Sequence, residues 1–292
     1  IVDRGGRVVS VNPRRTETAR AVGDHLFIRP GTDVFLLASF LHVVLAEGAV
    51  DRALVHTHTT GFGDLAAVVA DWSPERTEAV TGVAAADLRE LVADYLAADG
   101  ASLYCSTGVN MGPHGTLTFW LLNVINAVTG NLDRAGGALV RTPPFDFQKQ
   151  SKATGLGVSD ARSRVGDFEA ILGTFPASLL ADEITTPGEG QVKALFVSAG
   201  NPVLSVGNGE RLAAALDELE LVVSIDLFRN ETAEHAHYVL PACSWLERPD
   251  VPFVHAFAGL QVAPWLQYSD AVVPPAGERR EESWIFARLA DA

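Results

Sequence analysis

Between Lys193 and Asp226 the chain reads as apolar run, turn, helix, apolar run. The stretch "ALFVSA" stops at Gly200-Asn201-Pro202, "NGERLAAALDEL" follows with helical spacing, and "LELVVSID" ends at Asp226. Two runs rich in Val, Leu and Ile, joined through a helix, form parallel strands, and a parallel sheet needs helices on both faces. The same alternation runs through the first half. "RVVSVN" (Arg7 to Asn12) and "SLYCSTG" (Ser102 to Gly108) read as strands. Val34, Leu37, Ala38, Leu41, Val44 and Leu45 share one helix face. Leu88, Leu91, Val92, Tyr95 and Leu96 share another, and Leu117, Leu121, Val124, Ile125 and Val128 a third. The expected fold is α/β, with two Rossmann-like lobes whose mainly parallel sheets are covered by helices.

The two lobes are expected to divide in "RTPPFDFQKQSKATGLGVSDARS" (Arg141 to Ser163), which has no period and is rich in Pro, Gly, Ser and Lys. This gives residues 1–145 and 146–292. The connection is expected to be irregular and exposed.

Composition narrows the function. Against 22 basic residues stand 36 acidic ones, a formal charge of −14 that repels phosphate backbones and anionic lipid, so no nucleic-acid partner is expected. Two separate cysteines, Cys105 and Cys243, cannot hold an iron–sulfur cluster or a four-cysteine zinc site within this chain. They fit a reducing, cytoplasmic setting. The longest apolar run, Val34 to Ala46, is too short to span a bilayer and carries His42, so no membrane insertion is expected. His56 and His58, and His235 and His237, are read as pairs on extended segments. Each could offer two imidazoles to a metal, but neither has a third obvious ligand.

The strands share one feature at their carboxyl ends. They stop at Asn12, at Thr107-Gly108, at Gly200-Asn201-Pro202 and at Asp226. Ligands of open parallel sheets bind at that edge. Asn offers donor and acceptor together, Asp accepts paired N–H groups, and Gly lets the backbone approach a phosphate. A Gly-Asn-Pro at such an end either makes a turn or holds a nucleotide-like ligand, and its residues alone leave both open. No G-x-G-x-x-G is present, which disfavours an ordinary NAD site.

Taken together and in order, "NPRRTETAR", "IRPGTD", "TGVNMGPHGT", "TGNLDRAGGAL", "FVSAGNPVLSVGNGERLAAAL" and "VVSIDLFRNETAEHAHYVLPACSWLER" resemble the molybdopterin-dependent oxidoreductases, among them formate dehydrogenases, nitrate reductases and dimethyl sulfoxide reductases. The resemblance implies bis-molybdopterin guanine dinucleotide carrying molybdenum or tungsten. The family's D-P-R-x-T segment matches Asn12 to Thr16, which implies that Asn12, Arg14 and Thr16 line the guanosine or diphosphate end of one pterin. P-G-T-D matches Pro30 to Asp33, with Gly31 and Thr32 at a helix start and Asp33 toward a guanine. M-G-x-N-Q matches Thr107 to Met111, bringing in Gly108 and Met111, while Asn201 and Asp226 are implied contacts of the second dinucleotide.

Departures are visible. Asn12 stands for the usual aspartate, Met111 for a common glutamine, "RTPPFD" for R-G-Q-N-N, and "ERPDVPFVH" lacks E-x-E-G. The replacement of R-G-Q-N-N weighs against formate oxidation in particular. In the family, the metal-ligating side chain and the iron–sulfur cysteines lie upstream of D-P-R-x-T, and a β-rich domain follows. The chain is therefore expected to be a central, cofactor-cradling region of a longer enzyme, with no catalytic residue of its own and no activity alone. The implied partners are a small-molecule redox substrate and an electron-transfer protein or domain. The alternative is a cofactor-free scaffold homologue in an electron-transfer complex.

Overall fold

A computed structural model describes residues 1–140, 145–154, 160–171, 173–252, 263 and 265–292. The chain divides into two compact units, Ile1–Val140 and Arg141–Ala292.

In the first unit a short parallel pair, β1 (Val9–Val11) and β2 (Asp24–Leu26), is joined through α1 (Glu17–Ala21). Seven further helices follow: α2 (Asp33–Ala46), α3 (Arg52–His58), α4 (Phe62–Val69), α5 (Pro74–Thr81), α6 (Ala85–Ala97), α7 (Thr107–Asn110) and α8 (Gly115–Val128). Helix α2 is the centre. It packs against α4, α5, α6 and α8, and Leu36, Leu37, Phe40, Leu41, Val43 and Val44 are all buried. Removing each such side chain from water contributes about 1.5–3 kcal/mol, which is why a helix without a polar face is stable only here. No Gly or Pro interrupts α2, and Gly48, at φ 65°, turns the chain out of it.

The second unit holds α9 (Phe147–Thr154), α10 (Leu180–Thr185), β3 (Ala194–Ser198), α11 (Pro202–Ser205), α12 (Gly209–Leu216), β4 (Leu221–Asp226), β5 (Tyr238–Pro241) and α13 (Glu282–Asp291). The three strands form a parallel sheet with β4 between β3 and β5. Leu212, Ala215 and Leu216 of α12 and Ile184 of α10 cover the Val222 face. Ile285 of α13 covers Val223 and Ile225.

Several expectations need correction. Ser102 to Gly108 forms no strand. No main chain pairs with Ala101 to Cys105 among the described residues, and Thr107-Gly108 already belongs to α7. The parallel partner of β1 is instead β2, too short and too mixed to show a period. Within the supposedly irregular connection, residues 141–144 and 155–159 lie outside the described residues, but 147–154 form α9. Asp146 caps it, accepting from Lys149 N at 2.9 Å. A polar helix of this kind has no apolar stripe to reveal it. Leu117, expected inward, is 48% exposed, and Thr118 and Leu122 face the core instead. His56 and His58 lie on helix α3, where residues two apart point away from each other. Among the described residues, no helix is long and apolar enough to cross a membrane.

Beyond β5, the chain from Ala242 runs beside Arg280, with Cys243 N donating to Arg280 O at 3.0 Å and Arg280 N to Pro241 O at 3.1 Å. Glu247 locks this junction. The residue is 6% exposed, and its carboxylate accepts from Arg279 Nη1 (2.5 Å), Ser244 N (3.0 Å) and Ala276 N (3.2 Å). The Arg279 hydrogen bond is the largest of the influences that lower its pKa from 4.5 to about 2. A carboxyl held below its unfolded value stabilises the fold above that value and loses the effect as pH falls. Urea midpoints of the wild type should therefore drop between about pH 4.5 and 2. Those of Glu247→Gln should start lower and change less across that window; parallel curves for the two proteins would contradict the assignment.

Candidate functional site

The ends of β1 and α2, and the turn before α8, carry the first group of expected site residues. At the end of β1, Asn12 N donates to Leu26 O at 3.1 Å, while its Oδ1 accepts from Arg14 N at 3.0 Å. That is an Asx turn, which shapes the chain into α1. Thr16 caps α1, its Oγ1 accepting from Ala19 N at 3.3 Å. Arg14 pairs with Glu17 at 3.2 Å in solvent. The hydrogen bond from Arg14 lowers the Glu17 pKa, yet an exposed pair of this kind is screened by water and leaves the guanidinium available to a stronger anion.

At the start of α2, Arg29 O accepts from both Thr32 N (3.3 Å) and Thr32 Oγ1 (2.6 Å), closing a turn in which Gly31 sits at φ 75°. A side chain is rarely tolerated there. Thr32 makes no side-chain cap, and no acceptor is present for the amides of Asp33 and Val34 among the described residues. The half-buried Asp33 carboxylate likewise has no hydrogen-bond or ion-pair partner among them. An N-terminus with open amides is a favourable place for anionic or strongly accepting ligand groups.

Two more segments approach this turn. A Cβ on Gly31 would lie 3.7 Å from Pro113 Cδ, which places the α7–α8 connection alongside it. The Cys105 thiol is pushed up first by burial and then by the Asp33 charge. Next to it, α7 presents Gly108, where an added Cβ would meet nothing within 4 Å, and Met111, which is 82% exposed. Gly115, in contrast, is a packing glycine, since its Cβ would come 2.4 Å from Asn110 O. Gly108 is therefore not demanded by the chain's own packing. The structure thus gathers Gly31, Thr32 and Asp33 with Cys105 and the α7–α8 connection.

In the second unit, Asn201 lies three residues beyond β3, at the start of α11, and Asp226 ends the neighbouring strand β4. Asn201 Nδ2 donates to Glu231 Oε2 at 2.5 Å, and its Oδ1 accepts from Thr232 Oγ1 at 2.8 Å. The same Thr232 hydroxyl, fully buried, accepts from Val203 N at 3.2 Å. Asp226 Oδ1 accepts from Phe228 N (3.1 Å) and Oδ2 from Asn230 Nδ2 (3.2 Å). Both residues hold the loop after β4, and each keeps part of its hydrogen-bonding capacity. Sequence reasoning missed Glu231 and Thr232, although "NETA", in the turn a few residues after Asp226, was a cue to capping side chains. His235 meets Asp217 at 2.7 Å and His237 accepts from Val222 N at 3.0 Å. No cluster of three metal-ligating side chains exists among the described residues.

Comparison with known proteins places these features in a family. The family model described as "Molybdopterin oxidoreductase" matches residues 3–292. "Probable oxidoreductase YyaE" of Bacillus subtilis is 25% identical over 290 residues, 98% of this chain and 41% of the relative. "Formate dehydrogenase H" of Escherichia coli is 28% identical over 281 residues, 88% of this chain and 38% of the relative. Among solved structures, acetylene hydratase from Pelobacter acetylenicus superposes with TM-score 0.82 at 25% identity, covering 99% of this chain and 43% of that one. The chain thus spans about two fifths of each of these relatives.

The Thr232 contacts give a direct test of the loop. Thr232→Val keeps the shape but leaves Asn201 Oδ1 and Val203 N unpaired, so denaturant unfolding should report a loss of about 1–3 kcal/mol. Amide exchange at Val203 should quicken. A variant as stable as wild type would show that the hydroxyl contributes nothing to this junction.

Proposed function

Because the chain belongs to the molybdopterin oxidoreductase family, we propose that it cradles the pterin dinucleotides of a longer enzyme carrying out two-electron chemistry on a small molecule. The carrying observation is the Asp33 carboxylate at the open N-terminus of α2, which has no hydrogen-bond or ion-pair partner among the described residues. The Watson–Crick edge of guanine presents adjacent N–H donors, and a carboxylate accepts both. Gly31 and Gly108 leave room for a ligand to approach the main chain, and Arg14 can leave its exposed pair for a diphosphate. This chemistry fits the guanine dinucleotide form of the cofactor. Asn201 and Asp226 fit the second dinucleotide less directly, since their polar atoms also hold the loop of residues 226–232. When bound, the pterin supplies molybdenum or tungsten as the two-electron centre. An iron–sulfur relay, if the protein has one, lies outside this chain, and an electron-transfer protein or domain would exchange its electrons.

A cofactor-free scaffold is the competing reading. It has no use for an unpaired acid at a helix start. The name of acetylene hydratase denotes addition of water, so turnover should be tested after cofactor content. The intact protein should contain about one molybdenum or tungsten per chain and release guanine on acid hydrolysis. Asp33→Asn exchanges an accepting oxygen for a donor and should cut cofactor retention on the order of tenfold or more. A properly matured protein without metal or guanine would sink the proposal.

A further inference from the structure

Asn126 is a poor choice for the middle of α8 on local grounds. Asparagine ranks low among helix formers, and a buried amide is costly unless paired. It is 1% exposed, among Leu121, Leu122, Ile125 and Val128. All of its bonding is directed at other elements. Oδ1 accepts from Leu103 N at 2.9 Å and from Tyr95 Oη at 3.2 Å, and Nδ2 donates to Leu103 O at 3.0 Å. The amide thus binds both main-chain groups of one residue, the service a neighbouring β-strand would otherwise give.

That service matters because the extended run from Ala101 to Cys105 has no main-chain partner among the described residues. Its polar anchors are two asparagines. Asn131 Oδ1 takes Ala101 N at 3.1 Å, at the upstream end. Asn126 takes Leu103, on the side of the turn. From Leu103 to Ser106 the chain spans at most about 10 Å with no regular structure between, so fixing Leu103 limits where α7 can begin. Leu103 and Cys105 also pack against the core, but apolar packing alone does not fix the direction of the main chain as the two hydrogen bonds to Leu103 do.

We propose that Asn126 is a positioning residue for the turn Thr107–Met111, acting through Leu103 to hold Gly108 and Met111 beside the N-terminus of α2. The inference deepens the cofactor-site reading and rests on it for its binding readout alone. Asn131→Ala is the matched control, because it removes a buried amide of the same network while leaving the Leu103 clamp in place.

In the intact protein, Asn126→Ala and Asn131→Ala should both lower Tm. Only Asn126→Ala should speed cofactor loss, on the order of tenfold, through misplacement of a ligand-facing segment. In protein prepared without cofactor, hydrogen exchange at Tyr104 to Met111 should rise on the order of tenfold in Asn126→Ala and stay at the wild-type level in Asn131→Ala. If Asn126→Ala does not fold, Asn126→Asp retains the acceptor for Leu103 N and loses the donor to Leu103 O, and the same rise in exchange is expected. Wild-type exchange over Tyr104 to Met111 in a folded Asn126 variant overturns the proposal. So does equal cofactor retention in Asn126→Ala and wild type. A wild type that never binds a pterin defeats the functional reading instead, and the exchange measurement then decides the role of Asn126 by itself.

Discussion

Helix α2 is buried on nearly every side from Leu36 to Val44, so its polar character can meet solvent only at its ends. Its amino end is the more demanding one, because the first amides of a helix have no partners within it. Here the Arg29–Thr32 turn closes without capping them, and Asp33 adds a carboxylate that nothing in the described chain engages. The rest of the first unit is arranged around this helix. Helices α4, α5, α6 and α8 cover its sides, and the α7–α8 connection comes to rest beside its open end.

The second unit treats its strand ends differently. Asn201 and Asp226 hold a loop, with Thr232 buried beneath them as the common joint. Two lobes of related architecture therefore present unlike surfaces. One offers groups without partners among the described residues, the other a braced loop whose remaining lone pairs and N–H groups are aimed by that bracing.

Much of this was legible in the sequence because burial imposes a period. The apolar positions of α2 and α6, and the runs that became β3 and β4, carry their environment in their spacing. The failures have physical causes. Ser102 to Cys105 has strand-like residues, but a strand needs a neighbour, and here Asn126 and Asn131 take the neighbour's part. The helix at 147–154 is polar and shows only its cap, Asp146. His56 and His58 looked like a pair only while the segment was read as extended. For the motif residues, the sequence does not show which of their polar atoms are already engaged. Thr16 and Asn201 are already engaged within the chain, and only coordinates distinguish them from Asp33.

The Glu247–Arg279 contact joins positions 32 apart in the sequence, directly beside the third strand of the sheet. A clip of that kind separates the fate of a sheet from the length of the excursion it closes. Each doubling of such a loop costs only about 0.6 kcal/mol of closure entropy. Sequence between the two clamped ends can therefore grow, shrink or be exchanged with little strain on Val223 and Ile225.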